Sequence, residues 1–211
     1  LRPTTFAVAQ ITTRDIDRGD HPHYLMKEIG ESPTSFRKTL RGKIVETDAG
    51  LRVSLGPSVI PDEIRELVRN GTITRVLAIG QGTAAVAGQA LAAGLDALTP
   101  NGEIEVEAVL ATELSGFRLR PDMSDTLIVA VSQSGTTTDT NRTVDIVRNR
   151  GANVIAIVNR RGSDLTDRAD GVLYTSDGRD VEMSVASTKA FYSQIAAGPL
   201  AVDRHHRRTA R

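Results

Sequence analysis

Five short apolar runs divide the later part of this chain, at residues 76–79, 104–110, 126–131, 153–158 and 171–174, and segments of helical character separate most of them. Runs of Val, Ile, Leu and Ala without polar alternation mark strands covered on both faces. The intervening helices supply that cover. The spacing therefore predicts an α/β protein, a five-stranded parallel sheet sandwiched by helices. Its helices are expected after the first run to about Leu95, near 113–117, from 138 to about Arg150, and from about Ala186. The composition agrees with an aliphatic core. There are 18 Gly, only 4 Phe and 3 Tyr, and no Trp among 211 residues.

If the strands follow the common flavodoxin-like, doubly wound order 2-1-3-4-5, the ligand crevice lies between the carboxyl ends of strands one and three. The loops there are 80–84 and 132–137, the most polar glycine-containing loops of the chain. Ahead of the sheet, Tyr24, Leu25, Ile29, Phe36 and Leu40 recur at helical spacing, interrupted by Gly30 and Pro33. They predict two helical turns, a bend and a second short helix over 24–41. A further helix is expected at 61–69, with Pro61 in its first turn.

Several classes of function are excluded early. Lys+Arg and Asp+Glu are each 26, so no charge excess points to nucleic acid or a membrane surface. Cys is absent, which removes disulfides, thiolate nucleophiles and Cys-ligated metals. No apolar run reaches the roughly 18–20 residues of a membrane helix, and no signal pattern opens the chain. A cytoplasmic location is expected. The four histidines, at 21, 23, 205 and 206, lie outside the expected sheet, so neither a Ser-His-Asp set nor a metal cluster can be assembled from the core.

The segment Ser132-Gln133-Ser134-Gly135-Thr136-Thr137 leaves a buried strand and enters a helix. Free N–H groups and the helix dipole make such a turn an anion site. Hydroxyls, amides and the close approach allowed by Gly135 suit a phosphate monoester with no buried Lys or Arg. The simpler alternative is helix capping, but one cap accounts for one hydroxyl, not four in six residues. Ser187 and Thr188, at the start of the last helix, are equally readable as ordinary caps. Gly80-Gln81-Gly82-Thr83, with Ala85 in the third position, also fits a loose dinucleotide fingerprint. It lacks the acidic residue at the end of the second strand, since Glu103, Glu105 and Glu107 lie in its first half. No G-x-x-x-x-G-K-[ST] is present.

Three segments together carry a resemblance: His23-Tyr24-Leu25-Met26-Lys27-Glu28-Ile29 with Glu31 and Pro33, Ser132 to Thr140, and Val185-Ala186-Ser187-Thr188-Lys189-Ala190-Phe191. In this order, over about Asp20 to Gln194, they resemble the first sugar isomerase (SIS) domain of the glutamine–fructose-6-phosphate aminotransferases, the glucosamine-6-phosphate synthases. The resemblance implies a hexose 6-phosphate site for fructose-6-phosphate or glucosamine-6-phosphate. Ser132, Gln133, Ser134 and Thr137 would hold the phosphate, Thr83 and Ala84 would lie against the sugar, and the backbone of Val185 would contact it. Two positions depart from the family's pattern. Ala84 stands where it has serine, and Gln81 where it usually has cysteine.

The family's glutaminase domain, and the second SIS domain with its glutamate base, ring-opening histidine and Schiff-base lysine, match nothing in this sequence. No catalytic residue, metal or cofactor is therefore expected here, and the chain, opening on Leu1, reads as a piece of a longer protein or of an assembly. Residues 1–22 are expected to be an arm or linker, 23–198 the SIS domain and 199–211 a basic tail, with the last helix cut at Gly198-Pro199. An exposed apolar patch at Val185, Ala190, Phe191 and Ile195 would favour homo-oligomerisation. A deglycase for phosphorylated fructosamines and a non-catalytic sugar-phosphate sensor remain alternatives.

Overall fold

A computed structural model describes residues 16–200 apart from 49, 100 and 101. Most of the expected arm and the basic run at 204–208 lie outside the described residues. The sheet contains β3 (Arg75–Gly80), β4 (Glu105–Leu110), β5 (Thr126–Ser132), β6 (Asn153–Val158) and β7 (Gly171–Tyr174), all parallel, in the order β4-β3-β5-β6-β7. Counted within the sheet, this is the order 2-1-3-4-5.

The two faces follow from strand alternation. Val76, Ala78, Val129, Val131, Ile155 and Ile157 face one apolar cluster with Ile64 of α2 (Asp62–Arg69), Leu91 of α3 (Thr83–Asp96) and Ala197 of α7 (Lys189–Leu200). Leu77, Ile79, Ile128, Ala130, Val154 and Ala156 face a second cluster. It includes Leu114 of α4 (Ala111–Phe117), Val144 and Val147 of α5 (Thr138–Arg148), and Leu165 of α6 (Asp164–Arg168). Every residue of β5 is buried, as expected of a central strand with a helix layer on either side.

Several local expectations are corrected. The segment at 24–41 forms one continuous helix, α1 (Tyr24–Leu40), with Pro33 inside it. Proline removes one backbone donor, and packing along the rest of the helix outweighs that local preference. The packed face is polar. Glu28, Ser32, Ser35 and Thr39 are buried, whereas Leu25, Met26, Ile29 and Phe36 are exposed. A two-stranded hairpin, β1 (Ile44–Thr47) with β2 (Gly50–Val53), follows; it is short and largely exposed, and gives no core periodicity to detect. The helix at 61–69 begins one residue later, with Pro61 as its N-cap.

The last helix is not cut at Gly198-Pro199 but runs to Leu200, and begins at Lys189 rather than near Ala186. The expected apolar patch on it is mostly absent: Ala190 is buried and Phe191 and Ile195 pack against the core, leaving Val185 exposed. The exposed stripe belongs to α1 instead. No helix among the described residues is long and apolar enough to cross a membrane.

Candidate functional site

The strand order puts β3 and β5 side by side, while the chain leaves them toward opposite sides of the sheet. Their following loops part and open a cleft at the carboxyl edge. Thr83, Ala84, Ser132, Gln133, Ser134, Thr137 and Val185, drawn from three separate segments, all line this one cavity of about 180 Å³. Thr136 does not; its hydroxyl turns back to Ser134.

The loop after β5 is braced from behind. The amide of Asn159 donates to the Gln133 carbonyl (3.2 Å) and that of Leu165 to the Gly135 carbonyl (3.0 Å). The Asn141 side chain also donates to the Gly135 carbonyl (3.1 Å). Gly135 has φ +66°, and a Cβ there would overlap the Ser163 side chain, so the position admits glycine alone. The turn is thus fixed before any ligand arrives.

The hydroxyls are arranged with their protons unspent. Ser132 Oγ accepts from the Gly135 amide (3.0 Å). Ser134 Oγ accepts from the amide (3.2 Å) and hydroxyl (2.9 Å) of Thr136. Each of these two serines therefore keeps its O–H to donate. Thr137 is the N-cap of α5, yet its side chain makes no capping hydrogen bond. Capping does not account for this cluster of hydroxyls. With the amino end of α5 behind it, the loop presents donors and a favourable dipole to an anion.

On the opposite wall, two carboxylates pin the segment that carries Val185. Glu182 Oε1 accepts from the amides of Thr188 (2.8 Å) and Ala190 (3.0 Å) and from the Thr188 hydroxyl (2.9 Å), and Oε2 accepts from the Ser187 hydroxyl (3.3 Å). Glu182 thus caps α7, and Ser187 and Thr188 are donors to that cap rather than caps themselves. From α1, buried Glu28 accepts from the amides of Met183 and Ser184 and from the Ser184 hydroxyl. The adjoining Lys189 ammonium, also buried, donates to Glu31 (2.6 Å).

Further along this clamp, Asp180 accepts from Ser35, Ser176 and Lys38. Burial pushes the Asp180 carboxyl up, but the bonds from Ser176, Ser35 and Lys38 outweigh burial and hold it below its usual range.

Sequence reasoning did not name Glu182, Ser184 or Gln194 as site residues, yet all three line the cleft. Ser184 and Glu182 sit beside Val185 and could have been found from it. Gln194 gave no signal, because a glutamine inside a helix is ordinary. No Lys or Arg lines the cavity. The acidic residues of β4 are committed elsewhere: Glu105 pairs with Arg75 (3.3 Å), and Glu107 is held by both arms of Arg118 (2.5 and 2.7 Å). The Arg118 bonds keep the Glu107 carboxyl below its usual range. The strand ends on Leu110, with no carboxylate for a ribose, so the dinucleotide fingerprint is unsupported. Among the described residues, no group of three or more His, Asp or Glu could hold a metal ion.

Comparison with known proteins finds relatives in sequence and in fold. The glutamine–fructose-6-phosphate aminotransferase [isomerizing] of Symbiobacterium thermophilum is 39% identical over 183 residues, covering 86% of this chain and 28% of that protein. Its namesake in Mycobacterium tuberculosis (strain H37Rv) is 37% identical over 187 residues, covering 87% and 27%. This chain therefore spans little more than a quarter of the length of these curated relatives.

Among solved structures, the C-terminal domain of glucosamine-fructose-6-phosphate aminotransferase from Francisella tularensis matches with a TM-score of 0.70 at 26% identity, over 88% of this chain and 48% of that one. Glucosamine-6-phosphate deaminase from Thermotoga maritima shares the fold, with a TM-score of 0.58 at 17% identity over 85% of this chain and 49% of that one. The SIS domain model matches residues 73–204, which takes in the whole sheet and every residue of the cleft, and the chain belongs to the SIS domain family.

Proposed function

We propose that this chain is the sugar-phosphate-binding part of an amino-sugar-forming aminotransferase and isomerase, and that its cleft holds fructose-6-phosphate or glucosamine-6-phosphate. The phosphate sits in the 132–137 loop, bound by Ser132, Gln133, Ser134, Thr137 and the amino end of α5. The sugar extends toward Thr83, Ala84 and the backbone of Val185. The observation that carries this reading is the pair of serine hydroxyls that accept from the loop itself while their protons remain to be donated.

A cleft with neutral donors and no cation suits a phosphate monoester that must be exchanged after each turnover. Proton transfer and nitrogen supply come from segments beyond this sequence, so the isolated chain shows no glutaminase activity and negligible isomerase activity. Robust turnover of fructose-6-phosphate by the purified chain would overturn that division of labour. The domain organisation expected from the sequence, a cytoplasmic location and homo-oligomerisation belong to the same proposal. Sedimentation across the micromolar range tests self-association, for which the exposed stripe on α1 is the available surface.

The binding assignment is tested by calorimetric titration with fructose-6-phosphate and with fructose. Ser134→Ala removes a hydrogen bond to a charged group, worth about 1.5–3 kcal/mol, so phosphate-ester affinity falls roughly ten- to a hundredfold. Fructose binding changes little. Unchanged fructose-6-phosphate affinity, with only a lowered melting temperature, would sink the assignment.

A further inference from the structure

A second cavity, of about 170 Å³, lies between α1 and the segment 180–189 and shares no lining residue with the cleft. Lys27, Lys38 and Lys189 line it together with Glu31 and Asp180. Three cations thus meet at this cavity, whereas no Lys or Arg lines the cleft. Lys189 is only 4% exposed and is the first residue of α7. A cation there is disfavoured twice, by burial and by the positive end of the helix dipole. Its one ionic partner is Glu31.

The hydrogen bonding of this lining is unbalanced in one direction. An ammonium carries three donors, and each of these makes one hydrogen bond: Lys27 to the Asp17 carbonyl, Lys38 to Asp180 (3.0 Å) and Lys189 to Glu31 (2.6 Å). Lys27 also stands 3.6 Å from Glu31. The Asp180 carboxylate accepts from Ser35 and Ser176 as well as from Lys38. Donors therefore remain where acceptors are already taken. A small group with several anionic oxygens balances such a lining. The volume lies below the roughly 300–1,000 Å³ of pockets that enclose drug-sized ligands, so the anion it encloses is a small one.

We propose that this cavity is a second anion site, separate from the cleft, which takes a small oxyanion of two or more charges, a dicarboxylate or a phosphate, on the ammonium groups of Lys27, Lys38 and Lys189. Glu31 and Asp180 compete with the ligand for the same ammonium groups, so a singly charged anion gains too little to enter. The site stands independently of the reading given to the cleft. Two calorimetric titrations test it and tell the two sources apart: one with malonate, the other with inorganic phosphate while fructose-6-phosphate saturates the cleft. Binding of malonate alone marks a carboxylate site, and binding of phosphate alone a phosphate site.

Lys27→Met, which removes one cation, is expected to weaken binding of the anion roughly five- to tenfold. Glu31→Gln, which removes a competing carboxylate and keeps its shape, is expected to tighten binding by a similar factor. Lys38→Met gives the same readout as Lys27→Met if the latter misfolds. The opposite signs are the mark of a ligand site, because an ion-pair network that only holds α1 in place loses stability in both variants and binds no added anion. Failure of the wild-type chain to bind either anion at roughly millimolar concentration, or variants that do not shift affinity in opposite directions, overturns the site. If fructose-6-phosphate fails to bind while malonate binds with these signs, the reading of the cleft falls and the second site stands.

Discussion

β5 and α1 are both central to this molecule and are held in opposite ways. β5 buries all seven of its residues, mostly aliphatic, between two helix layers. α1 buries a carboxylate and three hydroxyls, and turns Leu25, Met26, Ile29 and Phe36 outward. Burial of apolar surface is non-directional and spread over many contacts. It stabilises the fold as a whole and is indifferent to small shifts. α1 packs a polar face against α7 and adds directional bonds between Glu28, Glu31 and Ser35 and residues 176–189. These bonds decide where one loop stands. A chain can therefore be firm in its sheet and still be sensitive, at one wall of its cleft, to the loss of a single carboxylate.

The sharpest break in this contrast comes from the sheet. Ile128→Ala, at a fully buried position on β5, should cost about 2–5 kcal/mol of unfolding free energy, read as a fall in the urea midpoint with the slope unchanged. A cost below about 1 kcal/mol would mean that the central strand is not the cooperative core. Next in size is Glu28→Ala, which strips the acceptor from the Met183 and Ser184 amides. Because water can reach part of that segment, the global loss should be only about 1–2 kcal/mol. Amide exchange at 183–185 and proteolysis there should accelerate, and fructose-6-phosphate affinity should drop. An unfolding cost as large as that of Ile128→Ala, with no local effect, would erase the distinction between the two regions.

The clamp should also respond to pH in a way the apolar run of β5 cannot. Asp180 has its carboxyl held low in the folded chain. Its contribution is therefore fully present above the ordinary aspartate range near 4 and is lost as pH falls through the depressed folded value. Melting curves of wild type and Asp180→Asn should converge on acidification, wild type being the more stable at neutral pH. Parallel curves from neutral to acid pH would remove Asp180 from the linkage. Smallest of all is Arg168→Ala, which opens the exposed pair with Asp145. It belongs to neither region, and an exposed pair contributes well below about 1 kcal/mol. A larger shift in the melting temperature would show that α5 and α6 are held by charge and not by Val144, Val147 and Leu165.

The same contrast explains what could be read in advance. The sheet announced itself as uninterrupted aliphatic runs, and once its order was guessed, the cleft followed from the two loops that part at its edge. Ser132, Ser134 and Thr137 were legible because four hydroxyls in six residues exceed what a helix cap requires. The face that α1 buries was not legible: helical spacing of Leu25, Ile29 and Phe36 marked a helix, whereas the buried face is built on Glu28, Ser32, Ser35 and Thr39. Gly30 and Pro33 suggested a bend that tertiary contacts override. Gln194 was silent, since nothing in a helical glutamine says that it lines a cleft.

The sequence by itself determined the aliphatic strands, their alternation with helices and the glycine on which the 132–137 loop turns, because these are local: they depend on side-chain volume, periodicity and one residue's φ. Only the tertiary structure decided that Glu28 meets Met183 and Ser184, some 155 residues away, beside the cleft. Hydrogen bonds between such residues have a direction that no periodicity encodes, and they exist only after the apolar sheet has brought the elements together.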